Sequence, residues 1–409
     1  MQDIQLYQQI LGATEPWHVE SVRLDPAQQV IEVQMALKET DWVCPVCQGR
    51  MQIHDYETRR WRHLDSCQFQ TILVAKVPRV RCPEHGSQTV QVPWAEKHGR
   101  FTALFERLAI DVLREMSIEG ARKLLRLSWA EAAGIKDRAV ARGLERREAE
   151  IWPHLCVDEK AVGRGQDYLT VVSRRVPDGV EVVWLGDGNS QESLDAFWPT
   201  LTTAQRRGIE AVSMDMWKAY ASSTRQHVPH AEIIYDFFHL VRHVNRAVNL
   251  VRQKESAQLH LADHNPLKGT RQLWLYGMEN VPEKVRESFK SLWNSNLKTA
   301  RAWHLKEVFR TFTANQTPEE GRLFLRQWIA RALRSRLEPM RRVARMVRSH
   351  LDGIVAYCRH LYNNACAEGL NSHIQFVVAK ARGFRNRQRL KMDLFFHFGG
   401  LNLYPAKAQ

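Results

Sequence analysis

Two short stretches of this chain have the same pattern: residues 155–159 read LCVDE and residues 212–217 read VSMDMW. In each, an apolar run of the kind that forms a buried strand ends in a carboxylate, Asp158 in the first and Asp215 in the second. Three more apolar runs lie at residues 168–172, 180–185 and 232–235. The pattern predicts a sheet, and if the first two strands are neighbours, both carboxylates emerge at one of its edges.

Two carboxylates at one edge indicate a cation site, because like charges so placed repel each other unless cations neutralise them. Oxygen ligands of this hardness suit Mg²⁺ or Mn²⁺. An aspartate at the end of a single strand is usually only a turn former, so the argument needs a third acid. Glu368 supplies it, in a helical window at residues 363–371 that reads NNACAEGLN and precedes a basic C-terminal tail.

A separate metal site is indicated in the segment 44–86, which contains the half-sites CPVC and CPEH. Two residues between the ligands let a tight turn point both at one ion, and two such turns complete the tetrahedron of a structural zinc site. The candidate ligands are Cys44, Cys47, Cys82 and His85. His63 or Cys67 could be the fourth ligand instead of His85, and free thiols in a hairpin core are the alternative to any metal.

Residues 101–150 have a helical pattern without proline, and part of it has the spacing of a helix-turn-helix. We expect a first helix at residues 128–133, a left-handed turn at Gly134 and a recognition helix from residue 136 to 147. Lys136, Arg138 and Arg142 on that helix are the candidate contacts to phosphates or guanine edges. A plain helical linker with a solvated basic face explains the pattern nearly as well.

Composition favours a partner that is a polyanion. The 409 residues suffice for two or three domains, and they carry a net charge of +14 with a pI near 9.6. Residues 331–409 hold 15 Lys and Arg against 4 Asp and Glu. We therefore expect contacts to DNA phosphates in this tail, with Arg385 and Arg387 among them.

The same bulk features argue against secretion and membrane insertion. The N-terminus lacks the pattern of a signal peptide, and no apolar run is long enough to span a bilayer. Seven cysteines are an odd number for a disulfide framework and favour a reducing compartment. We expect a cytoplasmic, nucleoid-associated protein with no membrane association.

The motifs also follow one another in a specific order. After the zinc half-sites and the helical segment come Val157-Asp158-Glu159, Met214-Asp215-Met216-Trp217-x-x-Tyr220, and Tyr235-Asp236-Phe237-Phe238-His239. The window around Glu368 and the stretch KARGFRN at residues 380–386 close the series. Over essentially the whole chain this order resembles the bacterial insertion-sequence transposases of the ISL3 type.

The resemblance implies an α/β catalytic core of the ribonuclease-H-like kind, with a mixed sheet, a large α-helical insertion, an N-terminal zinc ribbon and a helix-turn-helix. We place an N-terminal hairpin and zinc-binding domain at residues 1–98, the helix-turn-helix at 99–150, the core at 151–244 and 356–409, and the insertion at 245–355. In the insertion, four tryptophans could stack on DNA bases, although core packing explains most of them better. They are Trp274, Trp293, Trp303 and Trp328.

The resemblance also implies the chemistry. Asp158, Asp215 and Glu368 would hold two Mg²⁺ or Mn²⁺ ions, one activating water or a 3′-hydroxyl and one stabilising the departing 3′-oxygen. One structural Zn²⁺ would be bound near the N-terminus. The partner would be double-stranded DNA, both terminal inverted repeats and target, bound by a homodimer or larger oligomer. A non-catalytic DNA-binding regulator and a structure-specific nuclease are the rival functions.

Asp236 and His239 lie one helical turn apart just after the last predicted strand. Related transposases carry a similar pair near the active site, so His239 could contact the scissile phosphate or tune a metal-bound water. The alternative is that Asp236 only caps a helix and the imidazole is packed. Phe237 stands where family members often have arginine, which puts one phosphate contact in doubt.

Overall fold

The computed structural model describes residues 3–38, 42–163, 167–177, 179–261, 265–315, 317–360, 365–381, 384 and 386–406, with the side chains of residues 365–368 excepted. The chain divides into two compact units. The N-terminal unit consists of residues 1–147 and 380–409, and the central unit of residues 148–379. No helix among the described residues is long and apolar enough to cross a membrane.

The N-terminal unit begins with a five-stranded sheet. The elements of this first part of the unit are, in chain order, α1 (Asp3–Ile10), β1 (Trp17–Asp25), β2 (Val30–Leu37), β3 (Trp42–Val43), β4 (Arg50–Met51), β5 (Ile53–Arg62), β6 (Gln70–Cys82) and β7 (Gly86–Thr89). The strand order is β1-β2-β6-β5, with β7 paired to β6, while β3 and β4 form a separate ribbon. Trp17, Trp61 and Trp94 meet edge to face in the core of this sheet.

Three helices follow, α2 (Ala103–Glu115), α3 (Ile118–Leu125) and α4 (Trp129–Glu145). The turn of the helix-turn-helix lies between α3 and α4, where Arg126 has a left-handed φ of 55° and a capping box of Ser128 and Glu131 starts α4. Gly134 lies inside α4, so the turn predicted there is wrong. An interior glycine costs a helix only about 1 kcal/mol, which leaves the capping box to set the boundary.

The central unit contains one mixed sheet made from the five apolar runs. Its strands are β8 (His154–Ala161), β9 (Tyr168–Val176), β10 (Gly179–Asp187), β11 (Ala211–Met214) and β12 (Glu232–Tyr235). Their order is β10-β9-β8-β11-β12. Neighbours among β8, β9 and β10 are antiparallel, whereas β11 is parallel to both β8 and β12.

Helices make up most of the rest of the central unit. They are α5 (Gln191–Asp195), α6 (Thr203–Arg207), α7 (Lys218–His227), α8 (Phe237–His260), α9 (Arg271–Leu275), α10 (Glu283–Trp293), α11 (Lys298–Arg310), α12 (Pro318–Arg334), α13 (Glu338–Ser349), α14 (Leu351–His360) and α15 (Ala365–Lys380). α8 passes through residue 245, where the insertion was predicted to begin. The four insertion tryptophans are buried in the same hydrophobic cluster as Leu155 and Val212 of the sheet, which confirms core packing as their role.

The C-terminal segment belongs to the N-terminal unit. α16 (Arg387–Phe398) and the residues after it contribute Phe396, Leu401 and Leu403 to a cluster that contains Ala132 and Ala139 of α4. Residues 380–409, which the prediction assigned to the catalytic core, group with the N-terminal unit. Their apolar side chains are buried against α4.

Candidate active site and zinc site

The four predicted zinc ligands converge. Cys44 and Cys47 lie in the turn between β3 and β4, and Cys82 and His85 lie at the turn between β6 and β7. Their ligand atoms all fall within 4.8 Å of one another, with Cys47 Sγ 3.7 Å from Cys82 Sγ and Cys82 Sγ 3.5 Å from His85 Nδ1. Ligands bound to one tetrahedral zinc ion lie about 3.7 Å apart, so this donor set fits zinc.

One thiol of this group already favours the form that zinc binds. The backbone N–H of Cys47 is the largest cause that lowers the pKa of the Cys44 thiol to about 7, which favours the thiolate that zinc requires. The two alternative ligands lie outside the group of four. His63 is buried and hydrogen-bonded to the Thr102 hydroxyl at 2.9 Å, and Cys67 is exposed.

Asp158 and Asp215 lie side by side on neighbouring strands, Asp158 within β8 and Asp215 directly after β11, at a place that we call the carboxylate edge. β8 and β11 are parallel neighbours, and Val157 is paired with Met214, so the two aspartates follow paired residues. Asp158 is held by two hydrogen bonds, from the Glu159 backbone N–H at 2.8 Å and from the Asn371 side-chain amide at 2.6 Å. Burial raises the pKa of Asp158 to about 6, and the negative charge of Asp215 adds to the shift.

Asp236 and His239 join this edge from the start of α8. Asp236 caps the helix by accepting the Phe238 backbone N–H at 3.1 Å, which confirms the capping role considered for it. Its other oxygen lies 2.6 Å from His239 Nδ1, and this hydrogen bond raises the pKa of the imidazole. His239 Nε2 in turn lies 3.7 Å from Asp215 Oδ2. The imidazole therefore stands between two carboxylates and is not merely packed.

The helix that carries Glu368 lies against β8. Asn371 of α15 reaches Asp158 through its side chain, and its backbone carbonyl accepts a hydrogen bond from Lys160 Nζ at 2.8 Å. Glu368 precedes Asn371 by three residues on this helix, which is about one turn. The side chain of Glu368 lies outside the described residues, as does Arg385.

Sequence reasoning missed two residues of this edge. Asn371 was quoted in the closing motif without a role, although a side-chain amide one turn after a candidate ligand is a natural partner for a neighbouring carboxylate. His243 lies one turn after His239 on α8. Burial lowers the pKa of its imidazole, while the charge of Asp215 acts in the opposite direction. The spacing of four residues from His239 could have identified it.

The DNA contacts predicted from α4 need correction, because Lys136 and Arg142 are buried. Lys136 forms an ion pair with Asp393, and Arg142 forms ion pairs with Glu96 and Glu106. Both lie on the face of α4 that packs against the rest of the unit, where apolar residues recur at spacings of three and four. Neither side chain is available to a ligand at the surface.

Other predicted basic contacts do lie at the surface. Arg138 is 43% exposed in its side chain and pairs with Glu106. Arg387 is exposed at the first position of α16. The basic run of the central unit is also exposed, at Arg331 and Arg334 on α12 and at Arg342, Arg345 and Arg348 on α13.

Comparison with known proteins agrees with this architecture. The transposase model of the ISL3 family matches residues 155–394, the zinc-finger model of the IS204/IS1001/IS1096/IS1165 transposases matches residues 40–85, and the helix-turn-helix model of transposase family ISL3 matches residues 90–140. The transposase for insertion sequence element IS1001 of Bordetella parapertussis is 26% identical, over 95% of this chain and 97% of its own length. The transposase for insertion sequence element IS1557 of Mycobacterium tuberculosis is 27% identical, over 95% of this chain and 94% of its own length. The chain belongs to the ISL3 family of insertion-sequence transposases.

Proposed function

We propose that this transposase cleaves and joins DNA at the carboxylate edge of the central sheet, with Asp158, Asp215 and Glu368 as ligands of divalent cations. The observation that carries the proposal is the hydrogen bond from Asn371 to Asp158, because it docks the helix of Glu368 onto the strand of Asp158. The sheet supports a ribonuclease-H-like core, since three antiparallel strands are followed by two parallel ones, with one acid within the first strand of the unit and one directly after the fourth.

The donor set at this edge fits Mg²⁺ or Mn²⁺ better than a soft metal, since it consists of carboxylate oxygens. Burial is the main cause that raises the pKa of Asp158, and the charges of Asp215 and Asp236 add to it, so a cation bound beside Asp158 would favour its carboxylate form. Two bound cations would supply activation of the attacking oxygen and stabilisation of the departing 3′-oxygen. At the zinc site, the three cysteines and His85 would hold one ion with a structural role, because all four positions are filled by protein ligands.

The residues around the carboxylates have separate tasks in this proposal. Asn371 and the Glu159 backbone N–H orient the two oxygens of Asp158, each of which keeps a second lone pair for a ligand. Asp236 fixes the ring and tautomer of His239, so that its Nε2 points towards Asp215. His239 is thereby placed to donate a proton or a hydrogen bond to a phosphate oxygen at this edge.

The DNA substrate would be the terminal inverted repeats of the element and the target duplex. The helix-turn-helix and zinc-binding modules of the N-terminal unit would recognise the ends, in an assembly of at least two chains. A regulator without catalysis would have no use for uncompensated carboxylates at one sheet edge, whereas a nuclease would share them. Strand joining is the step that separates a transposase from that nuclease.

The test is Mg²⁺-dependent cleavage and joining of labelled duplex from the DNA that flanks the gene, beside a gel shift with the same preparations. We expect Asp158→Ala, Asp215→Ala and Glu368→Ala each to lose at least a thousandfold in cleavage rate, roughly 4 kcal/mol, while end binding is retained. Glu210→Gln is the matched control, an exposed acid of the same unit. Full cleavage by Glu368→Ala would mean a different third acid, and full cleavage by either aspartate variant would refute the mechanism.

A further inference from the structure

The C-terminal segment adds a second basic helix to the helix-turn-helix. Basic side chains at the C-terminal half of α4 and just beyond it hold this segment. Lys136 pairs with Asp393, and Arg142, Arg146 and Arg147 donate hydrogen bonds to the carbonyls of Leu403, Tyr404 and Gly399 at 2.6, 2.7 and 2.6 Å. α16 is thus fixed on α4 by charge-assisted bonds in addition to apolar contact.

This attachment brings the first turns of α4 and α16 together. The guanidinium carbon of Arg389 lies 4.6 Å from the centroid of the Trp129 ring, which is the first residue of α4. Trp129 is 43% exposed, and Arg387 and Arg389 are exposed as well. A guanidinium stacked on a ring keeps the edge that carries its donors open for another partner.

We propose that Trp129, Arg387 and Arg389, which we call the composite surface, bind double-stranded DNA. The inference rests on the DNA-binding part of the proposed function. In helix-turn-helix proteins the N-terminal residues of the second helix contact base edges in the major groove, and Trp129 occupies that position of α4. Its ring offers apolar contact of the kind that a thymine methyl group accepts, and the guanidinium of Arg389 stacked on it supplies donors for phosphate oxygens.

The charges around the composite surface favour a polyanion. The acids on the two helices nearest to it are engaged within the protein, since Glu131 is bonded to Ser128 in the capping box and Asp393 is paired with Lys136. The amino end of α4 also presents the positive end of its helix dipole beside the arginines. A surface with an exposed aromatic ring, an arginine stacked on it and the positive end of a helix dipole suits a DNA duplex.

The test is duplex binding by the zinc-loaded full chain, measured by fluorescence anisotropy over a range of salt concentrations. The probes are the duplex that flanks the gene and a random duplex of equal length. The variants are Trp129→Ala, Arg389→Ala, Arg389→Lys and the double alanine variant. Arg23→Ala is the matched control, since Arg23 is an exposed arginine on β1 of the same unit. Circular dichroism and thermal melting report whether each variant is folded.

We expect Trp129→Ala to weaken binding of the flanking duplex about 5- to 100-fold with little effect on random duplex. Arg389→Ala should weaken binding to both and lower the slope of log affinity against log salt by about one, which a structural role would not do. Arg389→Lys should keep most of that slope. Because the two side chains touch, the double variant should lose less than the product of the single losses.

Folded Trp129→Ala and Arg389→Ala proteins that bind like Arg23→Ala, with the wild-type salt slope, would overturn the inference. If Trp129→Ala melts at the assay temperature, Arg389→Glu decides alone, and it must weaken binding more than Arg23→Glu does. A wild-type chain that binds no duplex removes this inference together with end recognition. A wild-type chain that binds ends without cleaving them removes only the proposed catalysis.

Discussion

The zinc site and the carboxylate edge are both clusters of candidate ligand side chains. They differ in how far the rest of the protein stabilises the charged form of those side chains. At the zinc site, four ligand atoms converge from two turns of one sheet, with the backbone already favouring a thiolate at Cys44. At the edge, Asp158, Asp215 and Asp236 share one imidazole, His239. In our proposal the first arrangement serves folding, and the second keeps closely spaced carboxylates that cost stability and serve chemistry.

Of the changes that test this difference, zinc removal should have the largest effect, and it should fall on the N-terminal unit alone. Structural zinc contributes about 10 kcal/mol of binding free energy in small zinc modules, so chelation or Cys44→Ser should unfold the zinc-binding part of the N-terminal unit. The central unit should keep its melting transition, because its core contains none of the four ligands. Calorimetry checks this with Cys67→Ser as control, an exposed cysteine outside the group. Loss of the melting transitions of both units together would contradict a zinc site that stabilises only the N-terminal unit.

The buried pair of Lys136 and Asp393 offers the next largest effect. Lys136→Met should lower the free energy of unfolding of the N-terminal unit by about 3–5 kcal/mol, because Asp393 is left buried without its partner. The double variant Lys136→Met with Asp393→Leu should recover most of that loss. Denaturant unfolding measures it, and Lys76→Met on the exposed side of β6 is the control. A variant of Lys136 that melts normally but binds DNA poorly would restore the role predicted from sequence.

Asn371 tests how the carboxylate edge is positioned. Asn371→Ala should slow cleavage about 10- to 100-fold, roughly 1.4–2.7 kcal/mol, since Asp158 loses a donor and α15 loses one of its bonds to β8. Asn371→Asp should be slower still, because it adds a like charge beside Asp158. End binding should stay at the wild-type level in both, and Asn280→Ala, on the surface of the same unit, serves as control. Wild-type cleavage by Asn371→Asp would contradict the assignment.

Asp158→Asn should give the smallest effect. Unlike Lys136→Met, it should raise the free energy of unfolding. The raised pKa means that the folded state keeps a proton on Asp158 which the unfolded state has lost between about pH 4 and 6. Wild-type stability from this group therefore falls as pH rises through that window. In buffer without added divalent metal, Asp158→Asn should exceed the wild type by about 1 kcal/mol at pH 7 and by less at pH 4. A variant that is less stable at pH 7 would show that the edge carries no excess charge.

Local patterns predicted the parts of the molecule that depend on neighbouring residues. The five apolar runs became the five strands of the central sheet, and the two half-sites became one cluster of four ligands. The helix-turn-helix was predicted, but Gly134 was given a turn that Arg126 and Ser128 make instead. The capping residues Ser128 and Glu131 were visible in the sequence, but the prediction placed the turn at the single glycine instead.

Long-range pairing was beyond the reach of these patterns. Arg142 donates to the carbonyl of Leu403, 261 residues further along the chain, and no periodicity of α4 reveals that partner. A basic residue on a helix can therefore be a ligand contact or a buried counter-ion, and the sequence of the helix alone does not distinguish the two. Asn371 was similarly visible only as part of a motif, because its function depends on a strand more than two hundred residues earlier.

The return of the C-terminal segment to α4 has a consequence for synthesis of the protein. Asp393, the ion-pair partner of Lys136, and the carbonyls that accept hydrogen bonds from Arg142, Arg146 and Arg147 lie in residues 393–404, which leave the ribosome after the entire central unit. Arg142 finds Glu96 and Glu106 among residues made before it, whereas Lys136 meets its counter-ion only when translation is nearly complete. A chain truncated before α16 would lack these bonds and the apolar contacts of the tail, so we expect it to have a less stable N-terminal unit than the full-length protein.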